Sequence, residues 1–202
     1  MVLYAQGYRF IAGLDEAGRG SWAGPVVAGA VILPLGSPSL RERLRGVRDS
    51  KTLTPRQRDR LYDAIRASAL AIGVGIVPAK AIDALGIVQA TKLAMEKAIR
   101  NLALTPHFLL IDGLNLPSVP IPQKSVSKGD SLCLSIAAAS IVAKVSRDRM
   151  MVAFDGHYPG YGFARHKGYG TPQHRQALER LGICPLHRLS FAPMKHMVEG
   201  PP

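Results

Sequence analysis

Two adjacent carboxylates, Asp15 and Glu16, close an apolar run and are followed at once by Gly18-Arg19-Gly20. Two further acids stand in comparable places: Asp112 after Phe108-Leu109-Leu110-Ile111, and Asp130 after Lys128-Gly129, where it is expected to open a long helix. A carboxylate at the end of a buried strand needs something to offset its desolvation. A hard divalent cation does so, because magnesium and manganese take oxygen ligands. Carboxylates gathered without a cation repel one another, and at least one takes up a proton. Two Mg2+ or Mn2+ ions about 3.5–4 Å apart remove the conflict, activating water on one side of a phosphodiester and stabilising the leaving oxygen on the other. The bland alternatives are a solvated acidic turn for Asp15-Glu16 and a helix cap for Asp130. Capping and metal binding are compatible.

The elements that would carry these acids can be read from hydrophobic period and turn chemistry. Tyr8–Leu14 reads as a strand, with Asp15 and Glu16 where it runs out, and Pro25–Leu33 as a second strand joined to it in a hairpin. Residues 34–48 are loop-like, broken by Pro34 and Pro38. Thr54-Pro55 starts an amphipathic helix, with a hydroxyl at the cap and proline at the first position. Ala71–Val77 is a β-branched strand, and Ala79–Leu85 and Ile87–Leu102 are helices separated at Gly86. Phe108–Ile111 reads as a buried strand ending at Asp112, and Ser125–Ser127 as a last one. Leu132–Phe154 is a long helix whose alanines at 137–139 and 143 let it lie close to a sheet; Thr171–Leu181 is the final helix, stopped by Gly182. Strands interleaved with helices predict an α/β fold around a mixed sheet.

At 202 residues the chain makes one large domain or two small ones and is long enough to bury a full core. Lysine and arginine total 26 against 14 acidic residues, a net +12 that suits a polyanionic partner, nucleic acid foremost. Cys133 and Cys184 are the two cysteines, without a CxxC pair, so neither a disulfide framework nor a cysteine zinc site is suggested. No run reaches about 18 apolar residues and no signal-like start is present. The expectation is a cytoplasmic monomer with no membrane partner.

Read together, the motifs resemble those of bacterial type 2 ribonuclease H, ribonuclease HII, from about Tyr8 to Pro193. The matching blocks are Gly13-Leu14-Asp15-Glu16-Ala17-Gly18-Arg19-Gly20, Gly24–Val31, Asp49-Ser50-Lys51, Ile111-Asp112-Gly113, Lys128-Gly129-Asp130 and Ile136–Asp148. Tyr158–Phe163, His166-Lys167-Gly168-Tyr169-Gly170-Thr171 and His187-Arg188-Leu189-Ser190-Phe191 complete the order. The resemblance implies a ribonuclease H-like fold, with a five-stranded mixed sheet flanked by helices and a helical C-terminal extension from about residue 155 within a single domain 1–202. It implies metal-dependent cleavage of RNA in RNA–DNA hybrids and incision 5′ of single ribonucleotides in duplex DNA. By motif, Asp15, Glu16, Asp112 and Asp130 match the family's metal-binding and catalytic acids. Gly18-Arg19-Gly20 matches the loop that contacts the 2′-hydroxyl and its phosphate, largely through backbone groups, and Tyr169 the tyrosine that packs on the neighbouring deoxyribose.

The residues agree with that assignment. Glycines permit close backbone approach, and the 2′-hydroxyl is what separates RNA from DNA at a given position. Lys51, Lys144, Arg147 and Lys167 are candidate phosphate contacts, with solvated surface charge as the alternative. Asp49 reads as structural. Lys80 and Gly86 depart from an acid and an asparagine in the family's usual pattern, away from the chemistry. With the first strand so near the start, the expectation is a single-domain enzyme without the extra N-terminal domain of type 3 enzymes.

Other readings stand beside this one. Gly18-Arg19-Gly20-Ser21-Trp22-Ala23 formally fits a dinucleotide fingerprint, but a strand rather than a helix follows. Cys184-Pro185-Leu186-His187 lacks the second half of a zinc site. His157, His166, His174, His187 and His196 include candidate acids or bases, and Trp22 a candidate base stack; packing is the plainer role for each. A catalytically silent hybrid-binding protein, and another two-metal nuclease of the same fold such as a resolvase or transposase, remain as alternatives. The four acids argue against the first, and Gly-Arg-Gly with His-Lys-Gly-Tyr-Gly against the second.

Overall fold

The computed structural model describes residues 2–199. Its elements run α1 (Val2–Ala5), β1 (Ile11–Ala17), β2 (Val26–Ile32), α2 (Leu40–Arg43), a 3-10 turn (Ser50–Thr52), α3 (Pro55–Ser68), β3 (Ala71–Val77), α4 (Ala79–Leu85) and α5 (Ile87–Arg100). Then follow β4 (Phe108–Asp112), β5 (Gln123–Val126), α6 (Gly129–Leu132), α7 (Leu134–His157), α8 (Phe163–His166), α9 (Pro172–Leu181) and α10 (Met194–Glu199). The five strands form one sheet in the order β3-β2-β1-β4-β5. β1 is antiparallel to β2 and parallel to β4, so the sheet is mixed, as expected. With its flanking helices it has the ribonuclease H-like architecture.

Alternation along β1 sorts its side chains between two layers. Ala12 and Leu14 join Ala28 and Ala30 of β2 in the core facing α5, which supplies Ala90, Ala94, Met95 and Ala98. Gly13 and Gly29 face α7 instead, and that helix lies so close that a Cβ on Gly13 would run into the Ser135 carbonyl and one on Gly29 into that of Ala139. The alanines of α7 and the glycines of the strands are therefore one feature: both remove atoms so that backbones can meet. Each fully buried leucine or isoleucine in these layers contributes roughly 1.5–3 kcal/mol.

Several boundaries differ from the sequence expectation: β5 is Gln123–Val126, α5 ends at Arg100, α7 is Leu134–His157, and α10 follows the helix expected to be the last. Two further differences matter to the site. β1 runs from Ile11 to Ala17, three residues beyond the expected end at Leu14, because Asp15, Glu16 and Ala17 remain paired with Gly29, Ala28 and Val27 of β2. The acids thus lie within the strand. Asp130 does not open the long helix: it belongs to the separate turn α6, entered through Lys128 in the left-handed conformation, and α7 begins after the extended Cys133. The helix at Thr54-Pro55 has the expected start, a capping box in which Thr54 and Gln57 satisfy each other's backbone N–H groups. Ala71–Val77 has its expected bounds, and loop-like residues 34–48 hold only the single turn α2.

Candidate active site

β1 and β4 are the adjacent central parallel strands, paired up to Leu14 and Ile111. Asp15 and Asp112 are the next residues on each, at the carboxyl ends of the strands, where open α/β sheets place ligands. α6 brings Asp130 to the same end, and one carboxylate oxygen from each of Asp15, Asp112 and Asp130 lies within 4.8 Å of the others. Among the described residues this is the one His/Cys/Asp/Glu group with metal-holding geometry. Asp15 Oδ1 accepts the Glu16 backbone N–H at 2.7 Å, and Asp112 Oδ1 accepts that of Gly129 at 2.7 Å, so β4 holds the turn that carries Asp130.

Glu16 stands outside the 4.8 Å set. Its Oε1 accepts Arg19 Nη1 at 3.2 Å, and it stays close enough to act on Asp15 and to feel Asp112 and Lys51. Its Oε2 is buried with no hydrogen-bond partner. A buried carboxylate oxygen without a partner is costly, and a cation or its water would satisfy it.

The electrostatics show the same tension. Burial, then the charges of Glu16 and Asp112, hold the Asp15 carboxyl well above its usual range. Glu16 is pushed up by burial against the pull of Arg19. Asp130 is raised by burial and by Asp49 and Asp112, while Lys51, its Nζ 3.6 Å from Asp130 Oδ2, opposes the rise. Partial burial depresses Lys51, but the surrounding carboxylates, Asp49 and Asp130 foremost, outweigh it and raise its pKa. Oxygen donors alone, mutual repulsion and an orphaned buried oxygen are what a hard divalent cation relieves, so the donor set fits one.

The Gly18–Gly20 loop follows directly. Gly18 has φ +93° and lies against the Arg147 guanidinium, so a side chain there is excluded by both conformation and space. Gly20 has open space around it, room for a ligand to approach the backbone. Tyr169 reaches the neighbourhood from the other side: the carbonyl of Gly168 accepts from Trp22 and Ala23 N–H, which ties the C-terminal segment to the β1–β2 connection. Tyr169 also borders a cleft of about 510 Å³ lined by Lys144, Lys167, Arg58, Arg149 and Arg165.

The basic residues separate into two kinds. Lys51 is exposed, whereas Lys144 is held by Asp148 at 2.7 Å and Lys167 by the Ala164 carbonyl. Arg147 is a correction: expected at a phosphate, it is fully buried, its donors taken by Pro25 O, Lys167 O, Ser21 Oγ and Ala23 O. Helical period explains it, since Arg147 lies on the inner face of α7 between buried Ala143 and Met151. Arg188, quoted only as part of a motif in the sequence, emerges as a second fully buried arginine beneath the loop; nothing local in sequence distinguished it from a surface charge. Asp49, expected to be structural, caps the 3-10 turn by accepting Lys51 N–H at 2.9 Å and also bears on Asp130, and buried Ser50 accepts from Ser140 of α7 at 2.7 Å. Trp22 packs against Gly170 and His174. His166, His174 and His187 form a buried cluster in the C-terminal extension, while His157 and His196 are exposed.

A mixed five-stranded sheet with an aspartate triad at the ends of its central parallel strands defines a metal-dependent nuclease of the ribonuclease H-like class. The comparisons with known proteins narrow the class. A family model described as Ribonuclease HII matches residues 12–194, and the chain belongs to that family. Ribonuclease HII of Dehalococcoides mccartyi strain 195 is 54% identical over 202 residues, covering 98% of this chain and 92% of its own. That of Geotalea uraniireducens is 55% identical over 195 residues, covering 96% and 88%. The crystal structure of ribonuclease H2 from Pyrococcus horikoshii superposes with a TM-score of 0.80 at 28% identity, over 94% of this chain and 97% of that one. The protein is accordingly a metal-dependent endoribonuclease of the ribonuclease H type 2 class.

Proposed function

We propose that this enzyme cleaves the RNA strand of RNA–DNA hybrids and incises duplex DNA on the 5′ side of single ribonucleotides, by two-metal hydrolysis with Mg2+ or Mn2+. The observation that carries the reading is the convergence of Asp15, Asp112 and Asp130 within 4.8 Å beside an exposed glycine loop. Asp15, Asp112 and Asp130 would hold the metal, with the unpartnered Oε2 of Glu16 adjacent. When bound, the metal supplies water activation and stabilisation of the leaving oxygen. The chain's own residues do the selecting. Arg19 and Gly20 are exposed, so their backbone can meet a 2′-hydroxyl, and the half-buried Tyr169 ring offers a face to the following sugar. Lys51, Lys144 and Lys167 supply positive charge along the phosphates. We propose further that the enzyme works as a cytoplasmic monomer; no described helix is long and apolar enough to cross a membrane.

The test is cleavage of a labelled duplex carrying one ribonucleotide, with magnesium, manganese or chelator, beside an all-DNA duplex and Asp15→Asn. A metal-dependent nick 5′ of the ribonucleotide, absent from both controls, is the expected result. Tight binding without a nick under any metal would favour a silent binding protein. Cutting of the all-DNA duplex would point to a different two-metal nuclease.

A further inference from the structure

Two arginines, Arg147 on α7 and Arg188 near the C-terminus, are fully buried side by side under the loop from Gly18 to Pro25. Neither takes part in an ion pair among the described residues. Their guanidinium groups are satisfied mostly by loop carbonyls. Arg188 donates Nη2 to Gly18 O at 2.7 Å, Nη1 to Arg19 O at 2.8 Å, and Nε and Nη2 to Gly24 O at 3.1 and 3.0 Å. Arg147 donates to Pro25 O, Ala23 O and Ser21 Oγ, and its Nη1 reaches Lys167 O at 2.8 Å. Ser21 Oγ in turn donates to Gly18 O at 2.9 Å. Burial of an unpaired guanidinium is expensive, so the expense has a purpose to be found.

The geometry of the peptide unit supplies one. In a planar trans peptide the C=O of one residue and the N–H of the next point in opposite directions. Gripping the carbonyls of Gly18 and Arg19 from below therefore turns the N–H groups of Arg19 and Gly20 outward. These two amides have no hydrogen-bond partner among the described residues, and both residues are exposed. Outward-facing successive amides over buried positive charge form a cradle for an oxyanion or a hydroxyl. Arg147 adds a brace, because it bonds to the loop and to Lys167 O while lying 5.4 Å from the Tyr169 ring centre.

We propose that Arg188 is the positioning residue for ribonucleotide recognition: its fork aims the Arg19 and Gly20 amides at the 2′-hydroxyl and adjacent phosphate, with Arg147 and Ser21 bracing the loop. The inference rests on the ribonucleotide-reading function above. A lysine in place of Arg188 keeps the charge but lacks the fork that grips three carbonyls at once.

The test measures binding without turnover, in the Asp15→Asn background, to matched labelled duplexes with one ribonucleotide or none. Adding Arg188→Lys is expected to cut the preference for the ribonucleotide duplex about tenfold while all-DNA affinity stays within about twofold. Ser21→Ala, which removes only a hydroxyl, is expected to cut the same preference about threefold and carries the test if Arg188→Lys does not fold. Unchanged preference in the folded variants, or equal weakening on both duplexes, overturns the proposal. A parent protein with no preference overturns the ribonucleotide reading and this inference together, whereas a preference that survives both substitutions overturns the inference alone.

Discussion

The buried histidines of the C-terminal extension make a stability prediction whose size follows from their hydrogen bonds. The Tyr169 carbonyl can only accept, so His174 Nδ1, 3.0 Å away, carries a proton. In the neutral ring His174 Nε2 must then accept, and it faces His187 Nε2 at 3.1 Å, which therefore donates. His187 Nδ1 is left to accept the Cys184 N–H at 3.0 Å. Gly168 N–H donates to His166 Nδ1, and His166 Nε2–H donates to Tyr161 O. Every ring is neutral, and a proton added to His174 Nε2 would face a donor. Burial, followed by the neighbouring His166 and His187, pushes His174 from 6.5 down to about 4, against the pull of the Tyr169 carbonyl. A depressed imidazole stabilises the fold fully above its unfolded value, and that stability is lost as pH falls from 6.5 toward 4. Between pH 7 and pH 5 the loss amounts to about 2 kcal/mol from His174 alone. His166 and His187, lowered first by burial, act in the same direction. The raised carboxylates of the metal site have the opposite sign, since protonation on acidification relieves them. The assay is therefore a comparison: urea unfolding at pH 7 and pH 5, with chelator, of the wild type and His174→Gln. The wild type should lose about 2 kcal/mol more than the variant over that interval. Equal losses in the two proteins would refute the neutral-histidine argument.

Two further outcomes follow from the packing and the acids. Gly13→Ala places a methyl against the Ser135 backbone of α7, which cannot move aside as a side chain could; unfolding should become easier by about 3 kcal/mol, read by denaturant titration. Manganese should raise the melting temperature of the wild type, with about 2.7 kcal/mol of stabilisation at a hundred times its dissociation constant. Asp15→Asn should shrink that gain sharply, and an undiminished gain would place the metal elsewhere.

Much of the scaffold was legible because it rests on local physics. Thr54-Pro55 announces its helix through a cap, Ala71–Val77 its strand through β-branched residues, and the alanines of α7 a close helix–sheet contact. The acids were legible for a related reason: Asp15 and Asp112 end apolar runs, and charge in such places demands compensation. The loop motif and Tyr169 could likewise be picked out by residue type and order.

What the sequence alone determined, then, was the family, the five strands and the longer helices, and the candidate chemistry, since these depend on residue type and on spacing along one element. The tertiary structure decided how far β1 extends, because that depends on Gly29, Ala28 and Val27 across the pairing. It decided that Glu16 stands beside the aspartate triad without joining its 4.8 Å set, and that Asp130 arrives on its own turn, held from β4. It also decided the fate of the arginines. Arg188 lies 164 or more positions along the chain from the carbonyls of Gly24, Arg19 and Gly18 that it binds, and no local pattern says whether a guanidinium will meet solvent phosphate or buried backbone. That outcome is set by which segments the fold lays over it.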